Sequence, residues 1–414
     1  MAAGDRKVLL SRLRGGVVAA TSHLCPHYKA PLVNGTLSVD GRLMCPWHGA
    51  CFRVQTGDIE DAPSADALVS YPVRIDADGH VHVTVNDDDL RRAMRPAPLC
   101  KHDAKKDMRV ALIVGGGAAG WGAAEGLRKH GFAGRIVVVS KESCLPVDRP
   151  KLSKGLNITL DKTLLRPAAF YMDAGIEFLL GVEATKIDVN DKSVTLSNGL
   201  AIGYWRVLIA TGGNPRNFWV SQTAALTNVL QMRTLDDATM LTTGMSRYTD
   251  HINPGTCDLA MAAKKQPNIA IIGSSFIGME AAAVLAKLGS VTVIGMEKVP
   301  FERVLGEQVG MAFQKFHESN KVSFKMQTTV ESFEADAGNT QCVALRLKDG
   351  SRLMTDLVIL GAGVAPATEW LKGSAVKVNG DGSIDVDGNM RVVGMKDVFA
   401  AGNDERVIPI KQKG

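Results

Sequence analysis

Between residues 7 and 96 apolar and polar side chains alternate at a spacing close to two, in KVLLSRL, GVVAA, TLSVDGRLMC, LVSYPVRID and HVHVTV. That period predicts the short strands of a small antiparallel β domain. The run NDDDLRRAMRPAPLCKHDAKKDM is polar and contains proline, and is predicted to be a linker. From Arg109 the rhythm changes to apolar strand, glycine loop, helix and apolar strand, which predicts α/β architecture around parallel sheets. The chain is therefore expected to be multi-domain, a small all-β domain followed by α/β domains. Between Ala238 and Pro267 no clear period survives. That stretch is predicted to be an irregular insertion in which His251 and Cys257 are incidental.

Composition narrows the class. Hydrophobic content of 45% and charged content of 22% are those of an ordinary globular chain. The net charge of +5 is mild and spread out, and calls for no nucleic-acid partner. No stretch reaches the about eighteen apolar residues of a transmembrane helix, so no membrane span is expected. The start MAAGDRKVLL lacks a secretory apolar core. The 7 cysteines do not form a disulfide framework. A reducing compartment, cytoplasmic or mitochondrial, fits.

The most specific chemistry lies in CPHY and CPWHGACF, where Cys25 and His27, then Cys45 and His48, form two tight Cys–His pairs. Thiolate and imidazole hold soft or borderline metals. A structural zinc site uses the same ligand types, but common zinc fingers pair Cys with Cys and His with His, with a longer gap between the histidines. One Cys and one His in each half is the mark of a Rieske 2Fe–2S cluster, with two thiolates on one iron and two imidazoles on the other. The flanks resemble a Rieske domain as well: Ala30–Leu32, Gly35, GRLMCPWHG and TGDIEDAP, in which Asp61-Ala62-Pro63 is the expected proline loop. Ala50 and Phe52 stand where high-potential members carry hydroxyl donors to sulfur. The expected potential is accordingly at the low end, roughly −150 mV. Cys51 is expected to be a free, buried thiol.

Two glycine fingerprints follow. In RVALIVGGGAAGWGAAEGLRKHGFAGRIVVVSKE, Gly115, Gly117 and Gly120 open a helix, and Glu142 after the next strand is placed to accept from a ribose. In NIAIIGSSFIGMEAAAVLAKLGSVTVIGMEK the triplet is Gly273, Ser275 and Gly278. Gly295 occupies the place right after the strand where an acid is usual, and Glu297 comes two residues later. Lys298 or Arg303 could meet a 2′-phosphate, so NADH against NADPH stays open. Two such units fit either two nicotinamides or, more commonly, FAD on the first and NAD(P) on the second.

LPVDRPKLSK, VLIATGGNPR, QMRTLDDA, GSSFIGME, LGAGVAP and DVFAAGND then occur in order. With them the chain resembles the ferredoxin-reductase type of pyridine-nucleotide-dependent flavoproteins, and specifically their Rieske-bearing, apoptosis-inducing-factor-like branch. The resemblance implies a Rieske domain over 1–98 and Rossmann-like FAD (107–250, returning over 385–414) and NAD(P) (266–384) domains. It implies that Arg149 and Lys154 contact the flavin, and that Glu280 pairs with Lys154 where the nicotinamide stacks. Thr211, Gly212 and Arg216 would pass under the FAD, and Gly361, Gly363 and Pro366 would close the nicotinamide side. Taken alone, a Lys154–Glu280 pair would be a surface ion pair of little worth. No second cysteine accompanies Cys144, so transfer to a dithiol is not expected.

GND departs from the family's Gly-Asp, and Asn403 is read as inserted, leaving Asp404 for the ribityl chain, with Pro409 correctly spaced from it. The chain also starts later and stops earlier than the family pattern. It is read as C-terminally truncated, with a flavin held more weakly. The implied function is NAD(P)H-dependent electron transfer through FAD to the 2Fe–2S cluster, and on to a ferredoxin, cytochrome, quinone or oxygenase. The competing readings are a redox-sensing or cell-death signalling flavoprotein with little turnover, and an inactive fragment.

Overall fold

The computed structural model describes residues 2–3, 6–92, 94–246, 266–403 and 405–407. Two compact units divide it, Met1–Leu99 and Cys100–Gly414.

The first unit is built from antiparallel strands. Ala2–Ala3, Arg6–Arg12, Val18–Ser22 and Ser70–Tyr71 form one sheet, and Thr36–Leu37, Arg42–Met44, Cys51–Arg53 and Ile59–Asp61 form another. Val73–Ile75 and Val81–Val83 add a hairpin. A core of Leu32, Leu43, Phe52, Val54 and Leu68 also encloses Cys25 and Cys45. The predicted linker is more ordered than expected. Asp87–Arg92 is a helix whose first turn is acidic and last turn basic, matching the helix dipole, and the Asn86 side chain accepts from Asp89 N at 2.7 Å as its cap. Beyond it, Arg95 and Ala67 exchange backbone hydrogen bonds of 2.8 and 3.0 Å.

The second unit contains two parallel five-stranded sheets. The first runs Ile176–Leu180, Arg135–Ser140, Val110–Val114, Arg206–Ile209, Val398–Ala400. The second runs Val229–Gln231, Leu357–Leu360, Asn268–Ile272, Ser290–Ile294, Val322–Lys325. Their central strands, VALIV at Val110–Val114 and LVIL at Leu357–Leu360, read as unbroken apolar runs because both faces are covered. Each sheet is accompanied by a three-stranded antiparallel layer, Ala184–Gly203 and Val330–Met354 in extent.

These sheets shift the expected boundaries. Val229–Gln231 joins the second sheet, and Leu230, Met232, Leu241 and Met245 sit in its core, so this half begins well before 266. Leu371, Val376, Ile384 and Val386 pack in the first core, so the return begins before 385. The expected irregular insertion is corrected in part. Leu235–Ser246 is a helix that buries Ala238, Leu241 and Met245. Thr234 and Asp237 cap it, with Asp237 accepting from the amides of Arg233 and Thr234 at 2.9 and 2.8 Å and Thr234 Oγ1 accepting from Asp237 N at 3.2 Å. His251 and Cys257 lie outside the described residues. Among the described residues no helix is long and apolar enough to cross a membrane.

Candidate functional site

The four expected metal ligands stand on one loop built twice. In Cys25–Ala30, Cys25 N donates to Ala30 O at 2.9 Å and Lys29 N to Cys25 O at 2.9 Å. In Cys45–Ala50, Cys45 N donates to Ala50 O at 2.8 Å and Gly49 N to Cys45 O at 3.2 Å. Lys29 and Gly49 both take the left-handed conformation, at φ 62° and 76°. Only the step from Cys to His differs, two residues in the first loop and three in the second. Cys25 and Cys45 are 1% and 3% exposed, and their thiols adjoin each other. Burial, reinforced by Cys45, pushes the Cys25 thiol up to about 11. A bound cation's charge is what converts such thiols to thiolates. The His27 and His48 rings meet edge-on at 4.9 Å, His27 stacks on Tyr28 at 4.0 Å, and Trp47 stands edge-on to His48 at 6.4 Å.

Sulfur therefore pairs with sulfur and imidazole with imidazole. Among the described residues, the donors that close to within 4.8 Å of one another, as a single ion requires, are those of Asp76, Asp78 and His80. The Cys25, His27, Cys45 and His48 donors do not gather in this way. A two-iron cluster with thiolates at one end and imidazoles at the other fits this set. Ala50 and Phe52 are fully buried and bring no hydroxyl toward the centre. Cys51 is a free, buried thiol. Asp61, Ala62 and Pro63 are exposed, with Asp61 bound to Arg42 at 2.6 Å.

Both glycine loops have the geometry that a pyrophosphate needs. Gly115 sits at φ 121°, and a Cβ there would lie 2.0 Å from Ala210 O; one on Gly120 would lie 1.9 Å from Gly115 O. Gly273 and Gly278 repeat this, with would-be contacts of 2.2 Å to Gly361 O and 2.0 Å to Gly273 O. The middle positions differ from these. Gly117 and Ser275 cap the helices Ala118–Lys129 and Phe276–Leu285 at φ −79° and −103°. Neither angle requires glycine, and Ser275 is exposed, so the serine fits without strain. Two helix N-termini with open backbone amides are thereby presented to anionic groups.

Of the other expected flavin and nicotinamide residues, Lys154 and Glu280, and Gly212, Arg216 and Gly363, meet across the two halves. Gly213–Pro215 pairs antiparallel with Val364–Pro366, which sets Gly212 against Ala367 and Arg216 against Gly363, while Gly361 lies beside Gly273 and Gly278. Arg216 fixes the crossing, its amide donating to Gly363 O and its Nε to Val364 O, both at 2.9 Å. Gly212 and Gly363 have φ of 67° and 89°. Glu142 is paired with Arg149, whose Nη1 also donates to Arg233 O at 2.6 Å. Lys154 Nζ lies 3.1 Å from Glu280 Oε1 and 3.0 Å from Pro150 O. Glu297 takes Arg303 Nε at 2.7 Å and Ser274 Oγ at 3.3 Å. Asp404 and Pro409 lie outside the described residues.

Two residues escaped the sequence reading. Ser153 is buried and its hydroxyl donates to the second oxygen of Glu280, so that carboxylate is held from both sides by adjacent residues. Arg233 is half-buried, its desolvation lowers its pKa, and its Nη2 would touch a Cβ on Gly212 at 3.3 Å. Both stand inside the motifs that carry the resemblance, but only the folded contact distinguishes them from their neighbours. Cys144 is a free thiol whose pKa is raised by burial.

A family model described as Rieske [2Fe-2S] domain matches residues 1–72, and one described as pyridine nucleotide-disulphide oxidoreductase matches residues 109–408. The chain is 38% identical to apoptosis-inducing factor 3 of Mus musculus over 97% of its own length and 63% of that protein's. It is 34% identical to the ferredoxin reductase subunit of the 5,5'-dehydrodivanillate O-demethylase of Sphingobium sp. (strain NBRC 103272 / SYK-6), over 70% of this chain and 66% of the other. Among solved structures it is similar to the reductase of a covalent putidaredoxin reductase–putidaredoxin complex, with TM-score 0.65, 29% identity, and coverage of 72% of this chain and 68% of that one. The chain thus spans less than two thirds of the length of the mouse relative.

Proposed function

We propose, because the chain belongs to the pyridine nucleotide-disulphide oxidoreductase family and carries a Rieske [2Fe-2S] domain, that it passes electrons from NAD(P)H by way of FAD to its own 2Fe–2S cluster. When bound, FAD accepts a hydride from the nicotinamide and yields electrons singly, and the cluster carries them one at a time. The side chains hold and orient these groups. Cys25 and Cys45 would hold one iron, and His27 and His48 the other. The Gly115–Gly120 loop with Glu142 and Arg149 would hold the adenosine and pyrophosphate of FAD. The Gly273–Gly278 loop with Glu297 would hold those of the nicotinamide nucleotide.

The observation that carries the reading is the meeting of Lys154 and Glu280 at 3.1 Å. Lys154 comes from the loop after the first fingerprint, and Glu280 from the helix that the second fingerprint opens. On the resemblance Lys154 would lie at the N5 edge of the flavin, where a fixed cation favours the negative charge gained on reduction. Ser153 and Pro150 O restrain the pair, so the charge is oriented before reaction. Reductases whose names specify a ferredoxin partner support an iron–sulfur acceptor, and here the fused domain takes that part. The terminal acceptor would be a ferredoxin, cytochrome, quinone or oxygenase.

The test is Glu280→Gln in the full chain loaded with FAD and iron. Flavin content should be unchanged while the rate of flavin bleaching by NADH falls at least about tenfold, since preorganised charge is worth that or more. An unaltered bleaching rate removes the pair from the chemistry.

A further inference from the structure

The two halves of the second unit repeat each other closely enough to be superposed by their hydrogen bonds. Gly115 N donates to Val139 O at 2.8 Å, and Gly273 N to Ile294 O at 2.9 Å. One residue on, Ser140 O accepts from Val182 N at 3.0 Å, and Gly295 O accepts from Thr328 N at 3.1 Å. Two further on, Glu142 O accepts from Gly181 N at 3.0 Å, and Glu297 O accepts from Gln327 N at 3.0 Å. By three successive bonds Gly295 is the counterpart of Ser140, and Glu297 is the counterpart of Glu142. The likeness extends to side chains, since Glu142 is paired with Arg149 and Glu297 with Arg303.

One exchange explains why the acid is not at 295. In the first half the loop residue is Gly116 and the strand-end residue is Ser140, and a Cβ on Gly116 would lie 2.7 Å from Ser140 Oγ. In the second half the loop residue is Ser274 and the strand-end residue is Gly295, and a Cβ on Gly295 would lie 2.6 Å from Ser274 Oγ. The contact has room for one hydroxymethyl group. With Ser274 supplying it, position 295 carries no side chain, and the nearest acid in register is Glu297. Ser274 Oγ then donates to Glu297 Oε2 at 3.3 Å, holding that carboxylate against the glycine loop.

Resting on the nicotinamide reading above, we infer that Glu297 makes this chain select NADH over NADPH, with Arg303 held as its counter-ion. A carboxylate at this place accepts from the hydroxyls of an adenosine ribose and repels a 2′-phosphate. Both basic residues nearby face carboxylates. Arg303 is on Glu297 at 2.7 Å, and Lys298 is near Glu307 at 3.4 Å. Neutralising Glu297 releases Arg303, whose guanidinium suits a phosphate.

The test is calorimetric titration of the full chain with NAD+ and, separately, NADP+. NAD+ is expected to bind at least about tenfold more tightly, a difference of about 1.4 kcal/mol. In Glu297→Gln that preference is lost and NADP+ tightens. Adding Arg303→Ala to Glu297→Gln removes the NADP+ gain. Wild-type protein that binds NADP+ as tightly as NAD+ overturns the inference while leaving the nicotinamide reading intact, as does a ratio unmoved in Glu297→Gln. Failure of both nucleotides to bind overturns the nicotinamide reading as well.

Discussion

Cys45 shows how much one side chain is asked to do. It is buried in an apolar core, adjoins Cys25, and its amide closes the loop that also carries His48. Cys45→Ser keeps the size and removes the soft donor, so the reconstituted variant should contain almost no iron and give no EPR signal after dithionite. Its flavin content should be unaffected, because the glycine loops belong to the other compact unit. Full iron retention in this variant would remove Cys45 from the ligand set. The four candidate ligands could be picked out in the sequence because donor chemistry and short spacing are local properties. Glu297 was legible only as a candidate. Its equivalence to Glu142 rests on amides from Gly181 and Gln327, each some way along the chain, and no local pattern reveals that. Ser153 was likewise invisible, since its partner Glu280 is on a distant helix.

At the scale of elements, the turns that enter the helices carry the cofactor geometry. Gly115→Ala forces a Cβ to 2.0 Å from Ala210 O at φ 121°, and should cost about 2–3 kcal/mol or more in denaturant unfolding. Ser275→Gly at φ −103° should fall within about 0.5 kcal/mol of wild type. Equal effects at the two positions would contradict this difference between the first and middle positions of the loops. Entry to the first sheet is fixed by Asp107, which takes Arg109 Nε at 2.8 Å and Nη2 at 2.6 Å while that guanidinium lies 4.3 Å over Trp205. The Arg109 hydrogen bonds hold the Asp107 carboxyl down at about 2, below the ordinary 3.8. A lowered folded-state pKa stabilises above the unfolded value and is lost as pH falls through the folded one. Asp107→Asn should therefore melt below wild type at neutral pH, with the gap closing as pH falls from 3.8 toward about 2; a gap that widens on acidification would contradict this. Strands and glycine helices were legible from their periods. Leu235–Ser246 was missed because the long aperiodic segment around it masked a local signal, the Thr234 and Asp237 cap before buried positions 238, 241 and 245.

Over the whole molecule, the change of rhythm near Arg109 was enough to separate a β unit from an α/β unit. The partition of the α/β unit was not legible to the same degree. Val229–Gln231 pairs in parallel with Leu357–Leu360, and Val398–Ala400 returns to Arg206–Ile209, so each sheet is completed by chain from outside its own fingerprint. Such pairings depend on which edge remains open once the local βαβ units have formed, and an apolar run in sequence does not name its neighbour. The same chain thus supplies a nucleotide site twice and a two-thiolate, two-imidazole site once. A nicotinamide delivers two electrons together and a 2Fe–2S cluster takes one, so joining these sites is useful only with a flavin between them.

Anaerobic mixing of NADH with the full chain, loaded with FAD, iron and sulfide, tests that relay most directly when absorbance and freeze-quenched EPR are followed together. The relay requires that the flavin bleaches first and that the EPR signal of a reduced 2Fe–2S cluster then grows at the flavin's expense. A flavin that bleaches fully beside a cluster that stays EPR-silent, yet is reduced at once by dithionite, would refute it.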